Sequence, residues 1–160
     1  MGQDDSMSIE EIDALGWVSM MLICIQGKIK EDIYGEICSY HLNEPVPFSG
    51  IGDMVLKIDE ICECIGTPQR TTNPRFMNQE MEKKYRESSN EHPKVITSRL
   101  LNRNNLAPIP QAIKARDVLV AIVKYRQNSS IQGTIRGRFT NGKDVSFRSA
   151  LELMRMMQLI

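Results

Sequence analysis

The chain has 160 residues, 41% hydrophobic and 25% charged, which suits one globular domain or two small units sharing a core. Its longest apolar run, Trp17 to Ile25 with Ser19 interrupting, falls short of the roughly 20 residues a membrane span requires. The formal net charge of zero hides a division: residues 1–66 hold 3 Lys and Arg against 13 Asp and Glu, whereas residues 67–160 hold 17 against 7.

Such a division points to halves that face each other, or to acidic or nucleic-acid partners. Met1 to Asp13 is acidic, unlike the basic start of a secretory signal, so the expected location is the cytoplasm. In that setting Cys24, Cys38, Cys62 and Cys64 are expected as reduced, buried thiols.

After an acidic tail over residues 1–15, the segment Trp17–Ile25 predicts a strand that can extend to Ile29. Lys30-Glu31-Asp32 makes a polar turn. Ile33–His41 then alternates, with Ile33, Gly35 and Ile37 on one face and Tyr34, Glu36, Cys38 and Tyr40 on the other. Val46 and Phe48 form a short third strand, and the prolines beside them, Pro45 and Pro47, place it at a sheet edge. Ile51, Met54, Val55, Ile58, Ile61, Cys62 and Ile65 follow the helical period, while Gly66 and Pro68 end the helix.

A polar connector, residues 67–116, follows. Asn73-Pro74 predicts a helix over Pro74–Glu87 with a thin stripe of Met77, Met81 and Tyr85. Val95–Leu101 predicts a short element, and Leu106–Pro110 an extended one.

The last segment, residues 117–160, repeats the first, residues 16–66. Val118–Arg126 predicts a strand, and Ile131–Thr140 alternates with Ile131, Gly133, Ile135, Gly137 and Phe139 inward. Asn141-Gly142 makes a hairpin turn, Val145 and Phe147 a third strand, and Ser149 with Glu152 a capping box for a final helix. Ile33, Gly35, Ile37 and Asn43 fall 98 residues before Ile131, Gly133, Ile135 and Asn141; Val46 and Phe48 fall 99 before Val145 and Phe147. The prediction is an α+β fold: a tandem β-β-β-α repeat with antiparallel strands, packed as one pseudo-twofold domain over residues 16–160.

Arg136 and Arg138 share a face of one strand and Lys124 and Arg126 a face of the preceding one, and a short-turn register would bring all four onto one sheet face to grip phosphates, although Tyr125 and Phe139 then point to the core, away from any stacking role. The bland alternative is a solvated face, or one covered by the acidic half. Ser49-Gly50-Ile51-Gly52-Asp53 resembles a phosphate loop but lacks its third glycine, and Asp53 would repel an anion, so it reads as a strand-to-helix turn. Cys62 and Cys64 are about 200° apart on a helix, which argues against a shared metal. Cys38 with His41 is a poor nucleophile pair, and Asp59, Glu60 and Glu63 read as the solvated face of their helix. In the final helix Leu151, Met156 and Leu159 lie off the core stripe, an apolar excess that suggests an interface.

The run Tyr125 to Ser130, then Gln132-Gly133-Thr134 and Ser146 to Leu153, resembles a group of small bacterial proteins sharing a YRQNSS…QGT…FRSALEL ending. The resemblance covers residues 118–157 and is weaker over the first unit. Many members carry Trp where this chain has Ile131. The resemblance implies a cytosolic bacterial setting and supplies no mechanism. The favoured reading is a non-enzymatic interaction or regulatory module, needing no cofactor or metal and using no membrane, that self-associates or binds a protein. The alternative is nucleic-acid binding through the basic face.

Overall fold

Strands with one apolar face must be covered on that face, and helices with an apolar stripe are the available cover. The computed structural model, which describes residues 19–88 and 110–160, solves this with a single open sheet. Its six antiparallel strands are β1 (Met20–Ile29), β2 (Asp32–Cys38), β3 (Val46–Ser49), β4 (Asp117–Tyr125), β5 (Gln132–Arg136) and β6 (Val145–Phe147). They run in the order β3-β2-β1-β4-β5-β6, so each half of the chain supplies three neighbouring strands. The halves join along β1 and β4, where Ile23 stands opposite Leu119.

The helices are α1 (Ile51–Ile65), α2 (Gln79–Glu87), α3 (Pro110–Lys114) and α4 (Ala150–Gln158). Met54, Ile58 and Ile61 of α1 and Leu153 and Met157 of α4 close over Ile23, Ile37, Leu119, Ile135 and Phe147 in one buried cluster. As its prolines require, β3 is an edge strand. Gly66 ends α1 in the left-handed region, its N–H donating to the Cys62 carbonyl at 2.9 Å. Asn141 and Gly142 both take positive φ, as the turn requires.

Three features depart from strict alternation. A bulge between Val123 and Tyr125 of β4 leaves Lys124 as an extra residue, and every side chain beyond it changes face. Tyr125 therefore turns outward and is exposed, while Arg126 turns toward α1 and is buried. Next, β5 stops at Arg136 and a 3-10 turn, Arg138–Thr140, replaces the predicted continuation. Phe139 is consequently exposed instead of facing the core. Third, α2 begins at Gln79, capped by Asn78 Oδ1, which accepts from Met81 N at 2.9 Å, and not at Pro74. The cause lies at β4: Arg70 pairs with Arg126, and Thr71 N donates to the Arg126 carbonyl at 3.2 Å, so this stretch is held extended.

The capping box of α4 forms by half. Ser149 Oγ accepts from Glu152 N, but Glu152 Oε1 accepts from Arg148 N instead of reaching Ser149. The acidic tail, the Val95–Leu101 element and all of the Leu106–Pro110 stretch except Pro110, the first residue of α3, lie outside the described residues.

The two halves match in local geometry. Both bulges, between Ile25 and Gly27 and between Val123 and Tyr125, sit 98 residues apart. The positive-φ pairs Lys30 and Glu31, and Asn128 and Ser129, keep the same offset. Gly35 and Gly133 stand opposite Ile25 and Val123, and there the neighbouring strand crosses so closely that a Cβ would lie 2.0 Å from the Cys24 carbonyl oxygen and 1.9 Å from that of Ile122.

Because those obstacles are backbone, Gly35→Ala and Gly133→Ala are each expected to cost on the order of 3 kcal/mol or to abolish folding. Gly52→Ala, where nothing lies within 4 Å in the first turn of α1, is expected to gain about 0.5–1 kcal/mol. Urea unfolding of the three variants checks the order; a neutral Gly133→Ala would contradict this account of the strand crossing.

Candidate functional site

The bulge that turns Arg126 inward creates the most polar interior feature among the described residues. The Arg126 side chain is 3% exposed, a burial a guanidinium tolerates only with partners. Its Nε and Nη2 both lie 2.9 Å from Asp59 Oδ1. Its Nη1 donates to Glu63 Oε2 at 2.8 Å and to the Pro68 carbonyl at 3.2 Å. Asp59 and Glu63 are one helical turn apart on α1, so both carboxylates present to the same guanidinium. Arg70 approaches Glu63 from the connector, with Nη2 at 2.7 Å from the same Oε2. Two cations and two anions thus bind α1, the end of β4 and the connector together.

Asp59 and Glu63 are therefore partners in a cluster and not merely a solvated helix face. They remain 41% and 49% exposed in their side chains, so the anions keep part of their hydration while the central cation is dry. Burial opposes ionisation of Glu63, but hydrogen bonds from Arg70 and Arg126 outweigh it and hold its carboxyl below the ordinary range. Burial pushes the Cys62 thiol up to about 12 despite the opposing pull of Arg126. Cys62 is accordingly a small core hydrophobe at neutral pH.

Beside the cluster lies a cleft of about 180 Å³ between α1, the connector, the β4–β5 turn and the start of α4. Val55, Ile131 and Ala150 line it with apolar surface, Leu56 flanks it, and Asp59, Arg70 and Arg126 give it a polar wall. Thr72 and Ser129 hydroxyls meet at 2.8 Å across one side. Ser130 Oγ accepts from Ala150 N at 2.8 Å, so the first amide of α4 is already occupied. At the start of α1, Asp32 Oδ1 accepts from Ile51 N at 3.0 Å and Asp53 Oδ2 from Ser49 N at 3.0 Å. Carboxylates sit where a phosphate would, consistent with a plain strand-to-helix turn.

The proposed basic face is dispersed. Arg126 lies on the helix side of the sheet, while Lys124, Arg136 and Arg138 are exposed. Arg136 stands opposite Val120, four residues from Lys124 and so roughly 13 Å along the strand. Arg138 Nη2 pairs with Asp117 at 2.8 Å and its guanidinium stacks on Phe139, 4.7 Å from the ring centre. Arg136 has Asp144 at 3.8 Å. Each of these two arginines thus has a carboxylate from its own half.

Among the predicted interface residues, Leu151 is 54% and Leu159 88% exposed, whereas Met156 packs against the edge of the core. Leu56, 70% exposed on α1, belongs with them and went unnamed from sequence. Its signal was available: like Leu151, it stands off the apolar stripe of its own helix. Cys24 and Cys38 alternate with core residues and so lie on the other sheet face from Cys62, which keeps the predicted thiols apart. The hydrogen bond between Cys24 and Cys38, with sulfurs 3.9 Å apart, and burial push the Cys38 thiol up, against a nucleophilic role beside His41.

Arg126→Leu is expected to cost about 2 kcal/mol in urea unfolding, below the figure for a fully buried pair because Asp59 and Glu63 can rehydrate. A neutral effect would contradict the cluster. Since the folded Glu63 carboxyl titrates below its ordinary value of 4.5, its contribution is present above that pH and is lost as pH falls through the lower folded value. Glu63→Gln should therefore flatten the loss of stability on acidification from about pH 6 to pH 3, measured against the parent chain. No protein-family model, curated protein or solved structure matches the chain.

Proposed function

We propose that the chain is a non-enzymatic, cytosolic protein-interaction or regulatory module that engages its partner through the outer side of α1 and α4. The observation that carries this reading is the exposure of Leu56, Leu151 and Leu159, at 70%, 54% and 88%, on or just past the end of helices whose inner sides already fill the core. Single exposed leucines are ordinary, but Leu56 lines a cleft that has an apolar floor and a wall fixed by ion pairs, and Leu151 directly follows Ala150 of that floor. A rigid recess beside apolar side chains suits an anchoring contact between proteins. The ionisable groups nearest the cleft support a binding role over a catalytic one: the carboxylates of Asp59 and Glu63 are engaged by guanidiniums.

We further read the scaffold as a tandem β-β-β-α repeat with pseudo-twofold symmetry. The shared offsets of the bulges, turns and tight glycines support common descent of the two units. The resemblance to bacterial proteins over residues 118–157 supports the bacterial, cytosolic setting. No helix among the described residues is long and apolar enough to cross a membrane.

A second reading, nucleic-acid binding through Lys124, Arg136 and Arg138, gains from the exposure of Tyr125 and Phe139. It is disfavoured by the separation of those cations and by the loss of Arg126 to the interior. That reading requires oligonucleotide affinity that collapses with salt and falls on Arg136→Glu with Arg138→Glu; binding indifferent to both would exclude it.

The interaction reading predicts that Leu151→Lys with Leu159→Lys abolishes association, whether with itself or with a recovered partner, while thermal stability barely changes. Both substitutions replace exposed residues, so the fold should tolerate them. A parent chain that is monomeric, recovers no partner and behaves as the variant does would count against the reading.

A further inference from the structure

We propose that the sheet face turned away from α1 and α4 is covered by the chain's own residues 8–17, folded as a short helix across β1 and β4. The centre of that face is built from apolar pairs. Met20 stands opposite Ile122, Leu22 opposite Val120 and Cys24 opposite Val118, with Cys38 of β2 on the other side of Leu22. These positions alternate with Met21, Ile23, Leu119 and Ala121 of the buried cluster, so they project from the opposite face. An antiparallel sheet with one wet face ordinarily carries polar residues there. Here charge begins only outside the two central strands, with Glu36 opposite Cys24 on β2 and Arg136 opposite Val120 on β5. An apolar centre with a charged rim marks a docking surface.

The cover among the described residues is incomplete. Helix α3 packs against β1 and β2 but buries none of its own residues, and Leu22, Val118, Val120 and Ile122 stay partly exposed. The path of the chain selects the occupant. Residues 1–18 join the sheet at Ser19, which is 3% exposed and whose carbonyl accepts from Val123 N at 3.4 Å, directly before Met20. The segment ahead of Ser19 is therefore tethered beside the apolar centre, at an effective concentration that a free partner rarely reaches. The inner face offers it no room, since Met21, Ile23, Leu119 and Ala121 are at most 2% exposed.

The segment's own residues fit the surface. Ile9, Ile12 and Leu15 recur at three-residue steps, which confines them to about 120° of a helix. Glu10 and Glu11 fall outside that stripe, on the side left to water, with Asp13 at its margin. Ser8 and Glu11 have the spacing of a capping box, and Gly16 suits the helix end. From Ile9 to Leu15 such a helix is about 10 Å long, against about 14 Å from Met20 to Cys24 along β1. Gly16, Trp17 and Val18 then reverse the chain, a usual length for such a connection. This contact lies across the sheet from the helical face and stands whether or not the interaction reading does.

Amide hydrogen exchange on the intact chain tests the proposal. Residues 9–16 should exchange at least ~10-fold more slowly than a free chain. Ile12→Asp, outside the sheet, should return them to the free-chain rate while β1 and β4 keep their protection. Val120→Thr is a β-branched replacement that a wet sheet face accepts. Beneath a docked helix it buries an unpartnered hydroxyl, and should lower the protection of residues 9–16 about 10-fold. Leu56→Lys, on the other side of the sheet, should leave that protection unchanged. Free exchange of residues 9–16 in the parent would overturn the proposal, as would protection indifferent to either Ile12→Asp or Val120→Thr. After free exchange, light scattering names the alternative: twice the 18.2 kDa chain mass assigns the face to a second copy, and a single-chain mass to another part of the chain or a foreign partner.

Discussion

A guanidinium at 3% exposure dictates much of this molecule's organisation. Arg126 is carried inward by one extra residue in β4, and once inside it must be satisfied or expelled. Satisfaction comes from α1, through Asp59 and Glu63, and from the connector, through the Pro68 carbonyl. The connector is drawn along the end of β4 as a result, and its helix starts late, at Gln79. The cleft between α1, the connector and the start of α4 is what remains between these tied elements.

The charge division gains meaning from the same geometry. The halves do not stack as opposed plates; they extend one sheet, joined where β1 pairs with β4. Among the ion pairs of the described residues, those of Arg126 with Asp59 and Glu63 link the first unit to the second, while Arg136 and Arg138 use Asp144 and Asp117 of their own unit. The apolar side chains of Leu56, Leu151 and Leu159 are left on the outward surface. That is the physical reason for looking to the helical face for function.

Sequence patterns revealed the helices and strands where the controlling interactions are local. The bounds of α1 follow from a 3.6-residue stripe ended by Gly66, and β3 was placed at an edge by its prolines. What pattern could not show depends on partners distant in the chain. A bulge is defined by the pairing of two strands, so strict alternation put Arg126 outward and Tyr125 inward, the reverse of the structure. Asn73-Pro74 is a sound local helix start, but the pairing of Thr71 with Arg126 overrides it. Asp59 and Glu63 looked solvated because the cation that binds them lies 67 and 63 residues away. Leu56 was legible as an off-stripe apolar residue, by the same argument that singled out Leu151.

The most direct measurement is a double-mutant cycle on unfolding free energy, using Arg126→Leu, Asp59→Asn and the pair. If the buried guanidinium joins the units as described, the two changes will be coupled by more than about 1 kcal/mol, with the double variant less destabilised than the sum of the singles. Additive effects would mean that Arg126 and Asp59 act independently, which would contradict the interaction on which the cleft and the helical face depend.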